Sequence, residues 1–247
     1  MGRDRGGAAI ASAGERAADL IGRAAEAQRR ATRKALAGRR SAQRLLRMTK
    51  AALARVDRTV ERVNKLVPPP RPIACGANCP YCCHIRLTAS PPEILLVAAH
   101  LRRTLTAEVL VTTKRRVANL DHLTRGRDEA RREVLRLPCC MLVEGNCAVH
   151  AVRPVSCRAV ASVDVAACER SYASRMAEPV PQVKLQGTAA NGIGYGLIAG
   201  LGESGYPLEN VEFNAGLHIA LESEDATRRW LAGEPVFRPA MEVADER

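Results

Sequence analysis

From Leu46 to Val67 the apolar positions step forward by three or four residues: Leu46, Thr49, Leu53, Val56, Val60, Val63, Val67. At 3.6 residues per turn these positions line one face of an α-helix. Upstream, from Ala8, the chain is Ala, Arg, Glu and Leu without a proline, which favours the same conformation by propensity. One long helix over Ala8–Val67 is therefore expected, its Ala-dominated first half free to fray. Its strong heptads are too few to demand a coiled coil; packing of the stripe on the rest of the chain, or on a second copy, explains it. Pro68-Pro69-Pro70 ends the helix, because proline disfavours helix at the residue before it and donates no hydrogen bond. That sets a boundary between an arm over 1–67 and a domain over 68–247.

Past the boundary the pattern stays helical in shorter pieces. Ser90-Pro91-Pro92-Glu93 has an N-cap, a first-turn proline and a capping-box glutamate, predicting a helix to about Arg103. Further helices are expected over Ala107–Asn119, Asp128–Arg136, Val165–Arg175, Leu185–Leu201, Leu208–Leu221 and Ala226–Leu231. Met141-Leu142-Val143, a turn at Glu144-Gly145-Asn146, then Cys147-Ala148-Val149 predicts a small hairpin. The expected fold is mainly α: a long N-terminal helix, then a compact helix-rich domain with a small β-hairpin around a cysteine cluster. Its core part is 73–160 and its helical C-terminal part 161–247. Gly192, Gly196 and Gly200 recur at four-residue spacing, which lets a helix approach a neighbour closely. A phosphate loop would need a preceding strand, and none is evident. Trp230 reads as a core anchor.

Aromatic residues make up only 3% of the chain, so the core must come from Ala, Val, Leu and Ile. No apolar run approaches the ~18 residues of a membrane span. The first 19 residues lack a signal-peptide apolar segment. A cytoplasmic protein with reduced thiols is expected, and nine cysteines, an odd number, fit poorly with complete disulfide pairing. The net charge of +12 is unevenly placed. Residues 1–66 hold 17 Lys and Arg against 6 Asp and Glu, the remainder 21 against 20. The basicity belongs to the arm. Its plainest reading is a solvated Arg-rich helix, with an acidic protein, nucleic acid or anionic lipid as the partners it could meet.

Chemistry concentrates in the cysteines. Cys75, Cys79, Cys82 and Cys83 fall within nine positions, and Cys139, Cys140, Cys147, Cys157 and Cys168 follow. Thiolates are soft ligands suited to zinc, copper(I) and iron–sulfur clusters, and a zinc or iron centre takes about four ligands. Seven or more thiols exceed one tetrahedral shell and favour a cluster or two metals. Adjacent cysteines reach one ion with difficulty, so Cys83 would bridge, serve a second ion or act in redox chemistry. His150, three residues after Cys147, reads more readily as a surface histidine than as a ligand. Cys140 and Cys168 read first as small buried hydrophobes. Arg153 and Arg158, flanking Cys157, would either offset thiolate charge or form surface ion pairs. No GxSxG, HExxH or Walker motif appears, which leaves no independent case for catalysis.

Cys75-Gly76-Ala77-Asn78-Cys79-Pro80-Tyr81-Cys82-Cys83 resembles the CxxCxxCC signature of the YkgJ-type cysteine-cluster family. The later Cys139, Leu142, Gly145, Cys147 and Arg153-Pro154-Val155-Ser156-Cys157-Arg158 are similar to that family's second run. The resemblance covers about Ile73–Val160, and Leu208–Phe237 looks like the tails of bacterial members. Three departures stand out: a three-residue first spacing, Cys140 where the family has proline, and His150 where it has tyrosine. The resemblance implies a zinc- or iron-chelating protein, an iron–sulfur cluster being one form, with Cys75, Cys79, Cys82, Cys83, Cys139, Cys147 and Cys157 as metal ligands. Two other functions compete with it. An iron–sulfur redox or methylase-like enzyme is suggested by the similar cysteine arrangement of flagellin lysine methylases. An interaction module would use zinc as a staple and the basic helix to engage a partner protein or, less readily, nucleic acid.

Overall fold

Residues Asp4–Leu36 form α1 and Ala42–Leu66 form α2, so the expected single helix is two, folded back on each other. The structure is a computed structural model and describes residues 4–38 and 40–241. The break has local causes. Gly38 takes a positive φ of 70°, which a side chain resists and glycine does not. The Arg44 guanidinium donates to the Lys34 and Ala37 carbonyls, satisfying acceptors that the end of α1 leaves open. Arg40 donates to the Leu231 carbonyl and lies over the Tyr206 ring, 5.1 Å from its centroid. The bend is thereby tied to the far end of the chain.

The first half of the arm is not frayed over its described side chains. Ala17, Leu20 and Ile21 are buried together with Val63 of α2 and Ala189 of α8, Lys184–Gly202. The glycine spacing does what the sequence predicts. A Cβ at Gly196 would run into the Ala25 carbonyl of α1, and one at Gly200 would lie 2.7 Å from the Arg29 carbonyl. Without those side chains α8 seats directly on the backbone of α1. Helices α1, α2 and α8 thus form a three-helix platform. On α2 the buried set is Leu45, Met48, Thr49, Ala52, Leu53, Val56, Thr59 and Val63. It is wider than the expected stripe because α2 packs against more than one neighbour.

The main core continues through α3 (Pro91–Thr104), α4 (Ala107–Thr124), α9 (Phe213–Glu222) and α10 (Ala226–Leu231). The α3 capping box forms as expected: Glu93 Oε2 accepts from the Ser90 backbone N–H at 2.9 Å. Its other oxygen accepts from Val155 N at 2.7 Å, tying α3 to the cysteine-bearing segment. Trp230 is buried and stacks on Tyr206 at 4.4 Å. Helix α4 extends five residues past its expected end, whereas α9 begins at Phe213 rather than Leu208. Ahead of α9 a two-residue strand β4 (Val211–Glu212) pairs antiparallel with β1 (Thr88–Ala89). That sheet was not expected. The remaining pieces are α5 (Glu129–Leu135), α6 (Val155–Ala159), α7 (Val165–Ala173) and the hairpin β2 (Leu142–Val143) with β3 (Asn146–Cys147). Among the described residues no helix is long and apolar enough to cross a membrane.

Candidate metal centre

The first cysteine stretch has almost no regular structure. Residues 68–80 are irregular and lead into one 3-10 turn, Tyr81–His84. Asn78 sits at φ 61°, a left-handed conformation that asparagine tolerates better than most residues. Cys75 and Cys82 are exposed, Cys79 and Cys83 half-buried. The second stretch is the β2–β3 hairpin. Glu144 and Gly145, at φ 49° and 77°, make the two-residue turn whose twist matches the strands. The turn sets Cys147 opposite Leu142, with Cys139 just before β2. Cys157 lies on α6 and Cys168 on α7.

Three stitches draw these stretches together. Cys139 N donates to the Cys83 carbonyl at 2.6 Å. Asn146 Nδ2 donates to Asn78 Oδ1 at 2.7 Å, and Asn78 N returns a bond to Asn146 Oδ1 at 3.2 Å. Ala74 N donates to the Ser162 carbonyl at 2.9 Å, while Ser162 N points at Cys75 Sγ at 3.2 Å. A ring contact adds a fourth tie: Tyr172 of α7 lies 4.6 Å from His84 and 6.0 Å from Tyr81. The asparagine clamp was not anticipated, although Asn78 and Asn146 each directly precede a cysteine, the one sequence signal that pairs them.

The thiols fall into two neighbourhoods that share Cys82. In the first, burial pushes the Cys79 thiol up, and the charges of Cys75, Cys82 and Cys168 push it further. In the second, burial pushes Cys157 well up, followed by Cys139, Cys147 and Cys82. Cys83 bonds to Cys82. Of the seven expected ligands, Cys139, Cys147, Cys157 and Cys82 thus feel one another's charge, and Cys75 and Cys79 belong to the other set. Cys168, given little weight from sequence, belongs to the latter group. Cys140 is fully buried in the main core, its carbonyl accepting from Arg116 and its N–H donating to Asn214 Oδ1. Its S–H bonds to Cys139 and pulls that thiol down, while burial pushes Cys140 itself up. Of the pair, Cys139 is the readier to give up its proton.

Cations surround the sulfurs. Arg132 is 1% exposed, and its Nε has no hydrogen-bond partner. Burial presses its pKa down, and the nearby charges of Glu212, Cys139 and Cys140 resist. A buried cation lacking a full set of acceptors favours anions beside it, which suits a group of thiolates. Arg153 lies in the field of Cys157 and Cys147 and also donates to the ring of His150, an exposed residue. Arg158 turns away from the sulfurs: it pairs with Asp57 of α2 and donates to the Arg153 and Ala151 carbonyls. The donor chemistry fits a soft metal, but the sulfurs do not form a closed shell. Among the described residues no three His, Cys, Asp or Glu side chains are arranged to hold one ion. No family model, no curated protein and no solved structure matches this chain.

Proposed function

We propose that the chain is a metal-chelating protein that binds zinc or iron, the latter alone or in an iron–sulfur cluster, through Cys75, Cys79, Cys82, Cys83, Cys139, Cys147 and Cys157. One observation carries the reading. Hydrogen bonds hold the first cysteine loop against the β2–β3 hairpin and the Ser162 segment, so the loop that bears Cys75, Cys79, Cys82 and Cys83 lies against the segments that bear Cys139, Cys147 and Cys157. Arg132 and Arg153 offset the charge that such thiolates accumulate. The resemblance of residues 73–160 to the cysteine-cluster family points the same way. Because the thiols stand apart, binding requires the exposed 75–82 loop to close over the metal. Metal binding and local folding are then coupled.

The test is metal analysis and a visible spectrum on protein purified without oxygen. Stoichiometric zinc and a colourless sample support a chelating or structural site. Brown protein with broad charge-transfer absorption supports an iron–sulfur centre. Protein that takes up neither metal when supplied, with all nine thiols titrating freely, overturns the proposal.

A further inference from the structure

The face of the α1–α2 hairpin that looks away from α8 carries two parallel rows of cations. On α1 they are Arg16, Arg23, Arg30 and Lys34, spaced by seven, seven and four residues; on α2 they are Arg47, Arg58, Arg62 and Lys65. All eight are exposed. At 100° per residue each row falls on one side of its helix. On α1 that side is opposite Ala25 and Thr32, which meet α8. On α2 it is opposite Leu45, Leu53 and Val56, which are buried in the main core. The helices run antiparallel, so both rows flank the same seam.

Acidic residues sit at the edges rather than in the seam. Asp19 pairs with Arg23, Glu26 with Arg30 and Glu61 with Lys65, leaving Arg16, Lys34, Arg47, Arg58 and Arg62 without a carboxylate partner among the described residues. Among the cations on the same helix sides stand the small residues Ala27, Ala51 and Ala54, which add no bulk to the face. From Arg16 to Lys34 the row runs about 27 Å at ~1.5 Å per residue. That is roughly eight steps of a nucleic-acid strand at ~3.4 Å each.

We infer that this seam binds the phosphate backbone of a nucleic-acid duplex, independently of any metal in the cysteine site. Three features favour the duplex over other polyanions. Neither helix carries an aromatic residue, so the stacking platform that single strands use is missing. The apolar sides of both helices are already buried in the fold, so neither can insert into a membrane. A long regular row of charges matches repeating phosphates better than the scattered carboxylates of a folded acidic protein. Binding through backbone charge alone is independent of base sequence and steeply dependent on salt.

Fluorescence anisotropy of the full chain with labelled mixed-sequence duplexes of DNA and RNA tests this. With five unpaired cations engaged, log K falls against log salt with a slope of about −4.5, a loss of about 500-fold between 50 and 200 mM salt. Replacing Arg47, Arg58 and Arg62 together by glutamine reduces the slope to about −2, whereas the same replacement of Arg103, Arg115 and Arg127 on the α3–α4 surface leaves it unchanged. Circular dichroism confirms that both variants fold. No binding at 50 mM salt, or equal slopes in the two variants, overturns the inference. So does tighter binding to a single strand, to poly-glutamate or to phosphatidylserine vesicles than to either duplex.

Discussion

The three-helix platform and the cysteine centre are held by different means. In the platform, α8 meets α1 backbone to backbone across Gly196 and Gly200, and its apolar side chains are buried without help from any ligand. The cysteine centre has no apolar core of its own. Its first loop is irregular and largely exposed, and its order rests on a few hydrogen bonds and one ring contact. Burial of apolar surface supplies the stability of the first region. The second places ionisable groups, Arg132 and Cys157 among them, in buried surroundings beside an exposed loop. On the proposed reading, the contrast is that of a scaffold and a site that completes itself on binding metal.

The sharpest way to break the comparison is to remove a thiol from the centre. Cys79→Ser is expected to lose bound metal and the hydrogen-exchange protection of residues 73–83, while α1, α2 and α8 stay protected. Structural zinc supplies ~10–16 kcal/mol of apparent binding energy in small metal domains, so this is the largest effect predicted. Metal content equal to wild type in that variant removes Cys79 from the ligand set. Gly196→Ala is the converse. The added Cβ meets the Ala25 carbonyl, and overpacking of this kind costs ~1–3 kcal/mol. Chemical denaturation should show that loss with metal content intact; loss of metal together with stability would mean that the regions are one cooperative unit.

The same contrast explains what the sequence made legible. Helices α3, α8 and α10 are written in strong local signals: the Ser90–Glu93 capping box, the glycine spacing and the Trp230 anchor. The bend between α1 and α2 was also written, in Gly38 followed by Ser41, a stop and a start. Continuous Ala/Arg composition on both sides hid it, because propensity is blind to a single residue forced to positive φ. The β1–β4 pair was invisible for another reason. Two-residue strands have no periodicity, and their partners lie more than a hundred residues apart. At the centre, cysteine spacing pointed to the thiol-bearing stretches but not to which thiols feel one another's charge. The placement of Cys168 beside Cys75 and Cys82 depends on α7 packing against the 3-10 turn through Tyr172, a tertiary contact with no local signature.

Glu93 lies between the two regions and sharpens the comparison at smaller amplitude. One carboxylate oxygen caps α3, and the other accepts from Val155 N at the start of α6. Glu93→Gln keeps the shape but turns one acceptor into a donor, leaving a buried N–H or O–H without its acceptor at a cost of ~1–2 kcal/mol. Thermal unfolding should register it. If the change leaves stability as it was, the carboxylate does not couple scaffold to centre.

The smallest expected effect is that of His150→Ala, and it separates position in sequence from position in space. His150 is three residues from Cys147, a spacing at which histidine often joins a thiolate site. In the fold its ring is exposed and accepts from Arg153, and burial together with the charges of Arg153 and Arg158 presses its pKa down. A ring held in this way is occupied by a guanidinium on the outer side of the centre. Its removal should leave metal content unchanged and stability within ~0.5 kcal/mol, the range of surface substitutions away from special features. Freed of the ring, Arg153 stays beside Cys147 and Cys157, so the charge balance of the thiols is kept. A drop in bound metal in this variant would instead place a nitrogen donor in the shell and bring the His150–Val152 turn into the centre.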